Sequence, residues 1–121
     1  MKRKGTRGQA PAETRPAGLT VAKLEAMIQE ATPDCEGDAE MVSGLFLMIE
    51  EEIAYPFKAT AHGRTVTVEG VETTARDVIV ALCRKSEDVE EIPILELRLP
   101  TPRPAGTEWI EAYRHWVKHG F

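Results

Sequence analysis

At 121 residues the chain has room for one domain with a single core, and its 42% apolar and 29% charged side chains are those of a globular protein. No apolar run approaches the roughly 18 residues needed to cross a bilayer, and the two cysteines, Cys35 and Cys83, supply neither a disulfide framework nor a metal knuckle. The net charge of −5 conceals a partition: residues 1–23 hold six basic side chains and one acid, residues 24–57 nine acids and no Lys or Arg, and residues 58–121 nine basic and ten acidic.

Residues 1–18 contain five basic residues, three Gly, two Pro and no large apolar side chain after Met1. Such a segment has nothing to bury, so a disordered basic tail is expected in preference to an arm for nucleic acid or for an acidic partner. Pro and Gly interrupt any amphipathic transit helix, no apolar signal-peptide core is present, and the expected compartment is the cytoplasm. Residues 19–121 then form one domain.

Its first helix begins with Thr20 as N-cap and Leu19 placed to staple onto Leu24, with Leu24, Met27, Ile28 and Ala31 on one face. Thr32 precedes Pro33, which disfavours helical geometry in the residue before it, so a loop follows to Gly37. A second helix is expected over residues 38–54, with Asp38 as cap and Met41, Val42, Leu45, Met48, Ile49 and Ile53 as its apolar stripe. Ser43-Gly44 inside it is unfavourable by propensity and marks either close packing or a bend.

Beyond Tyr55-Pro56 the period changes. Residues 57–61 and 64–71 read as strands joined by a turn at His62-Gly63, with Val66 and Val68 alternating with polar residues. Residues 76–84 read as a central strand, and residues 91–99 as a last strand whose Pro93 points to an edge. A Pro-rich spacer leads to Thr107, the cap of a terminal helix carrying Trp109, Ile110, Tyr113, Trp116 and Val117, which is expected to dock across the sheet. The fold class is α+β: an N-terminal helical pair, a small antiparallel sheet or SH3-like barrel of about four strands, and a C-terminal helix.

The residue inventory argues against an enzyme. There is no phosphate-binding glycine loop, nucleophile elbow or dinucleotide fingerprint. His115 and His119 have the i, i+4 spacing of a metal pair, but His is favoured near a helix C-terminus for dipole reasons alone. Binding is the better subject, and the acidic segment its place. Asp34, Glu36, Asp38 and Glu40 lie where a helix N-terminus welcomes negative charge. Glu50, Glu51 and Glu52 lie where it does not: three acids in a last turn oppose the macrodipole, and no basic residue is within a turn of them. A bound cation or a basic partner would offset them. Oxygen donors of this kind suit Ca²⁺, or Mg²⁺, ahead of zinc or copper. The segment is not an EF-hand: with Asp34 at position one, Gly37 falls at position four instead of six and Leu45 occupies position twelve. Ten helical residues separate Glu40 from Glu50, about 15 Å, too far to share an ion.

The run DCEGDAEMVSGLFLMIEEEIAYPF from Asp34 to Phe57, with the strand from Thr65 to Val71, VIVALCR, IPILELRLP and the closing EWIEAYRHW, resembles the small bacterial calcium-binding proteins of the CcbP type. The resemblance spans residues 19–116. It implies a calcium-binding domain without an EF-hand, acting as sensor or buffer, with Asp34, Asp38, Glu40, Glu50 and Glu51 as metal ligands and Pro56 and Phe57 in matching positions. Cys35, Gly37 and Ala39 depart from the family's denser acidic run. The implied cofactor is Ca²⁺, with Mg²⁺ as the lesser choice. The alternative is a non-enzymatic interaction module whose acidic face takes a basic protein partner, with neither membrane nor nucleic acid as a target.

Overall fold

The computed structural model describes residues 19–120; the expectation for residues 1–18 lies outside them. Thr20 starts the first helix as expected. Its Oγ1 accepts a hydrogen bond from the Lys23 amide at 3.0 Å, and α1 runs Val21–Ala31. The helix ends at Thr32, whose hydroxyl donates to the Ile28 carbonyl at 2.6 Å, one residue before Pro33. Leu24, Met27 and Ile28 are buried, and Leu19 with them.

The second helix, α2, runs Asp38–Glu52 and differs from expectation at both ends. Gly37, with φ +82°, is the N-cap, and no side chain caps the helix there; Asp38 is its first helical residue. Glu40 turns its Oε1 back to accept the Glu36 amide at 2.9 Å, one residue before the cap, which ties the loop to the first turn without capping the helix. At the other end Ile53 turns extended (φ −90°, ψ 137°) and buries its side chain, so the helix stops two residues short of Ala54. Gly44 marks close packing: a Cβ there would lie 2.5 Å from the Ala31 carbonyl oxygen and 3.0 Å from Thr32 Cγ2. α1 can cross α2 at that point only because the side chain is absent.

Four strands follow, β1 (Phe57–Ala61), β2 (Arg64–Thr73), β3 (Ile79–Lys85) and β4 (Asp88–Pro93), paired antiparallel in the order β1-β2-β3-β4. Val66 and Val68 face the core from β2. A bulge between Val68 and Gly70 shifts the register, so that Val71 also turns inward instead of following the alternation outward. The expected strand over residues 91–99 is divided. β4 ends at Pro93 on the sheet edge, and Ile94–Glu96 forms a 3₁₀ turn that buries Ile94. Arg98 then bridges back to Thr60 through two hydrogen bonds, of 2.9 and 2.7 Å. Residues 76–78 belong to the turn before β3, where Asp77 takes φ +60°.

The terminal helix α3 spans Glu108–His119 and closes on Gly120, which is left-handed and donates to the Trp116 carbonyl at 2.7 Å. Thr107 occupies the N-cap, but its hydroxyl turns back to the Pro104 carbonyl at 2.6 Å and does not cap the helix. The main partners of α3 are α1 and α2; the expected docking across the sheet is reduced to contacts such as that of the Tyr113 phenol oxygen, which accepts from the Ile79 backbone N–H. Trp109, Ile110, Ala112 and Tyr113 enter one core with the buried residues of α1, α2 and the sheet. The architecture is therefore α+β.

Candidate functional site

The two acidic groups occupy opposite ends of α2. Asp34 lies in the loop ahead of the helix, Asp38 begins it and Glu40 follows a half-turn later, all exposed. Glu40 is already engaged, since one of its oxygens holds the Glu36 amide, while the Cys35 thiol reaches the Glu40 carbonyl at 3.4 Å. This end is a helix start with acids around it. Negative charge is stabilised there by the exposed amides.

At the other end Glu50, Glu51 and Glu52 are exposed in the last turn. The backbone beneath them is fastened from two sides. The Tyr55 hydroxyl donates to the Ile49 carbonyl at 2.9 Å, satisfying one of the acceptors a helix terminus leaves free. The spacer ahead of α3 packs directly on the turn: Ala54 donates to the Ala105 carbonyl at 3.4 Å, and Gly106, at φ +87°, lies so close that a Cβ would sit 2.1 Å from the Glu52 carbonyl oxygen. Burial, and then the neighbouring Glu50 carboxylate, push the Tyr55 phenol well above its ordinary range. Tyr55 and Gly106 were not singled out from sequence. The signals available were the aromatic three residues after an acidic run and a Gly one residue before the Thr at a helix start.

The structure keeps the two groups apart, as the length of α2 requires. Among the described residues no three His, Cys, Asp or Glu side chains are grouped so as to hold a metal ion. The ion pairs among the described residues are His62–Glu96, Arg64–Glu90, Arg84–Glu69, Arg114–Glu111 and His115–Glu25. None involves Asp34, Glu36, Asp38, Glu40, Glu50, Glu51 or Glu52. Five acids outside α2 thus have an Arg or His partner; Glu30, Glu72, Asp77, Glu87, Asp88, Glu91 and Glu108 have no ion pair among the described residues either, and what distinguishes the unpaired acids of α2 is their clustering at its two ends.

No protein-family model and no curated protein matches the chain. Among solved structures, the crystal structure of Anabaena CcbP superposes with a TM-score of 0.70 at 16% identity, over 88% of this chain and 98% of that one. The chain has the CcbP fold. A calcium binding protein in its calcium-binding form superposes with a TM-score of 0.65 at 17% identity, over 81% of this chain and 91% of that one. The CcbP fold accounts for the two helices, the meander and the closing helix together, because nearly the whole of each known chain is covered.

The remaining candidate groups have structural roles. His115, with 8% of its side chain exposed, has Nε2 3.3 Å from Glu25 Oε2, and its ring lies 4.4 Å from that of His119. The sequence offered no third group near this pair; the fold brings Glu25 from 90 positions away, yet the three are not arranged to hold a metal. Cys83 is buried, and that burial, reinforced by Glu90, pushes its thiol up, which suits an apolar core residue better than a nucleophile. No helix among the described residues is long and apolar enough to cross a membrane.

Proposed function

We propose that this protein binds calcium ions through the two acidic groups at the ends of α2, Asp34, Asp38 and Glu40 at one and Glu50 and Glu51 at the other, without an EF-hand, as a non-enzymatic sensor or buffer in the cytoplasm. The observation that carries the reading is that seven exposed carboxylates at the ends of one helix have no basic partner among the described residues. The donor chemistry fits: the groups are carboxylate oxygens, on a loop and the first helical turn at one end and on the last helical turn at the other. Ca²⁺ takes about 6 to 8 oxygens in variable geometry and accepts waters among them, whereas Mg²⁺ demands a near-octahedral shell and sheds water reluctantly. The fold is shared with a protein described in a calcium-binding form, which supports the same reading.

A second reading is favoured by the lack of any ready-made grouping of three ligands among the described residues: the acidic ends of α2 form a face for a basic protein. Melting curves separate the two. A ligand that binds only the folded state stabilises it by RT ln(1 + [L]/Kd), about 2.7 kcal/mol at a hundredfold excess over Kd, a shift of several degrees in a domain of this size. Calcium chloride is expected to raise the melting temperature above a sodium chloride control of equal ionic strength, with magnesium chloride weaker. Coincident calcium and sodium curves would reject the calcium reading and leave the interaction face.

A further inference from the structure

His115 and His119 fall one turn apart on one face of α3, with 4.4 Å between their ring centroids, and α1 brings Glu25 to them across the interface of the two helices. His115 keeps only 8% of its side chain exposed against 39% for Glu25, while His119 is exposed at the very end of the helix. The cluster therefore rests on a nearly buried imidazole and opens to solvent on its outer side. The spacing of its two inner groups is informative. Nε2 of His115 stands 3.3 Å from Oε2 of Glu25, long beside the roughly 2.7 to 2.9 Å usual where a ring N–H meets a carboxylate. It is the separation of two neighbouring ligands on one tetrahedral ion: with metal–donor bonds of about 2.0 to 2.1 Å, such ligands lie about 3.3 to 3.4 Å apart. As they stand the three groups do not close round an ion; the donor with room to turn is the exposed His119.

We propose that Glu25, His115 and His119 form a site for a divalent transition metal of the zinc class, with His115 Nε2 and Glu25 Oε2 as the pair already at ligand spacing, His119 turning in as the third ligand and water in the fourth place. Two imidazoles and one carboxylate suit zinc and its neighbours in the first transition row, whereas Ca²⁺ and Mg²⁺ take oxygen. The site is thus separate in place and in chemistry from the acidic ends of α2, and it does not depend on the calcium reading. The negative end of the α3 macrodipole favours a cation there. An ion so held ties α1 to α3 through residues 90 positions apart, and because the unfolded chain does not bring them together, binding stabilises the fold.

The test titrates zinc chloride into the full chain, made without a histidine tag and with Cys35→Ser to remove the partly exposed thiol, while calcium chloride is present throughout to occupy the exposed carboxylates. Residues 1–18 hold neither His nor Cys. The imidazole nitrogen signals of His115 and His119 are expected to shift together and to saturate at one zinc per chain, those of His62 to stay in place, and the melting temperature to rise by several degrees. His119→Gln should weaken zinc binding at least about tenfold and leave the metal-free melting temperature unchanged, since that side chain is exposed. Glu25→Gln, which keeps an oxygen for His115 to bond, should weaken binding likewise. Absence of binding in micromolar zinc would overturn the proposal. So would shifts confined to His62 or to the amides of residues 34–40 and 50–52, or an affinity that neither substitution changes.

Discussion

Replacing Gly44 by Ala sets two effects of opposite sign against each other. In an isolated helix the change stabilises by up to about 1 kcal/mol, because Gly is that much poorer than Ala in a helix interior. Here the new methyl would lie 2.5 Å from the Ala31 carbonyl oxygen and 3.3 Å from its carbon. Neither atom is the end of a flexible side chain. Both are backbone of the last residue of α1, so the two helices must separate by most of an ångström. Overpacking of this kind costs about 1 to 3 kcal/mol, and separation would loosen Leu24, Ile28, Leu45 and Ile49, all at 0 or 1% exposure. The clash should win by about 1 to 2 kcal/mol, lowering the melting temperature by roughly 5 to 10 °C. The control is Gly37→Ala. Its φ of +82° with ψ 160° lies in a region open essentially to glycine alone and imposes strain of about 1 to 3 kcal/mol, with nothing within 4 Å of the added Cβ. Thermal and urea unfolding followed by circular dichroism measure both. A Gly44→Ala protein as stable as the parent, or more so, would refute the close crossing of α1 and α2 and leave Gly44 as a mere weak point in a helix.

Gly106→Ala combines both penalties, a φ of +87° and a Cβ 2.1 Å from the Glu52 carbonyl oxygen, and should lower the melting temperature further than either Gly44→Ala or Gly37→Ala in the same scan. Glu50→Gln with Glu51→Gln should raise stability in metal-free buffer by a few tenths of a kcal/mol, since like charges beside the negative helix end are removed, and weaken calcium binding in a calorimetric titration; unchanged affinity would place the ion elsewhere. The raised phenol of Tyr55 contributes stability that is complete below the ordinary tyrosine pKa of about 10 and is lost as pH climbs above it, because the unfolded chain then ionises first. Tyr55→Phe should therefore flatten the alkaline fall in stability followed by phenolate absorbance, while costing about 1 kcal/mol at neutral pH for the lost bond to Ile49. Deleting residues 1–18 should leave the unfolding midpoint nearly unchanged at physiological salt, since that segment supplies no core-forming side chain; a large drop would mean that it is part of the folded domain.

Local chemistry was legible where one residue type has one use. Thr20, Pro33, the His62-Gly63 turn and Gly120 mark boundaries because each supplies a cap, a stop or a left-handed residue that the backbone needs at that spot. The acidic ends of α2 were legible for the same reason: charge at a helix terminus has a sign that is either favoured or not. What escaped depends on residues far apart in the chain. Asp38 looks like a cap, yet Gly37 takes the position and Glu40 supplies the returning carboxylate. Residues 91–99 alternate like a strand, but Ile94 is drawn into the core by a 3₁₀ turn. The seat of α3 against α1 and α2 depends on how wide an apolar face those helices leave open, which only the assembled core decides. The contact of Gly106 with Glu52 spans over fifty positions, and local pattern carries no trace of it.

The contact between Glu25 and His115 also fixes where the two ends of the folded domain lie. Leu19 is six residues from Glu25 and Gly120 five from His115, so at helical rise neither end can be more than about 9 Å along its helix from that contact. Whatever the relative direction of α1 and α3, the ends then fall within about 25 Å, a gap that a flexible linker of roughly ten to twenty residues would bridge. The domain should accept being joined there and opened at the exposed His62-Gly63 turn, giving a circularly permuted chain. In such a chain β1 would come last and β2 first, and their pairing from Phe57↔Val68 to Ala61↔Arg64 would change from a hairpin into the union of the two termini, turning the most local contact of the sheet into its most distant one.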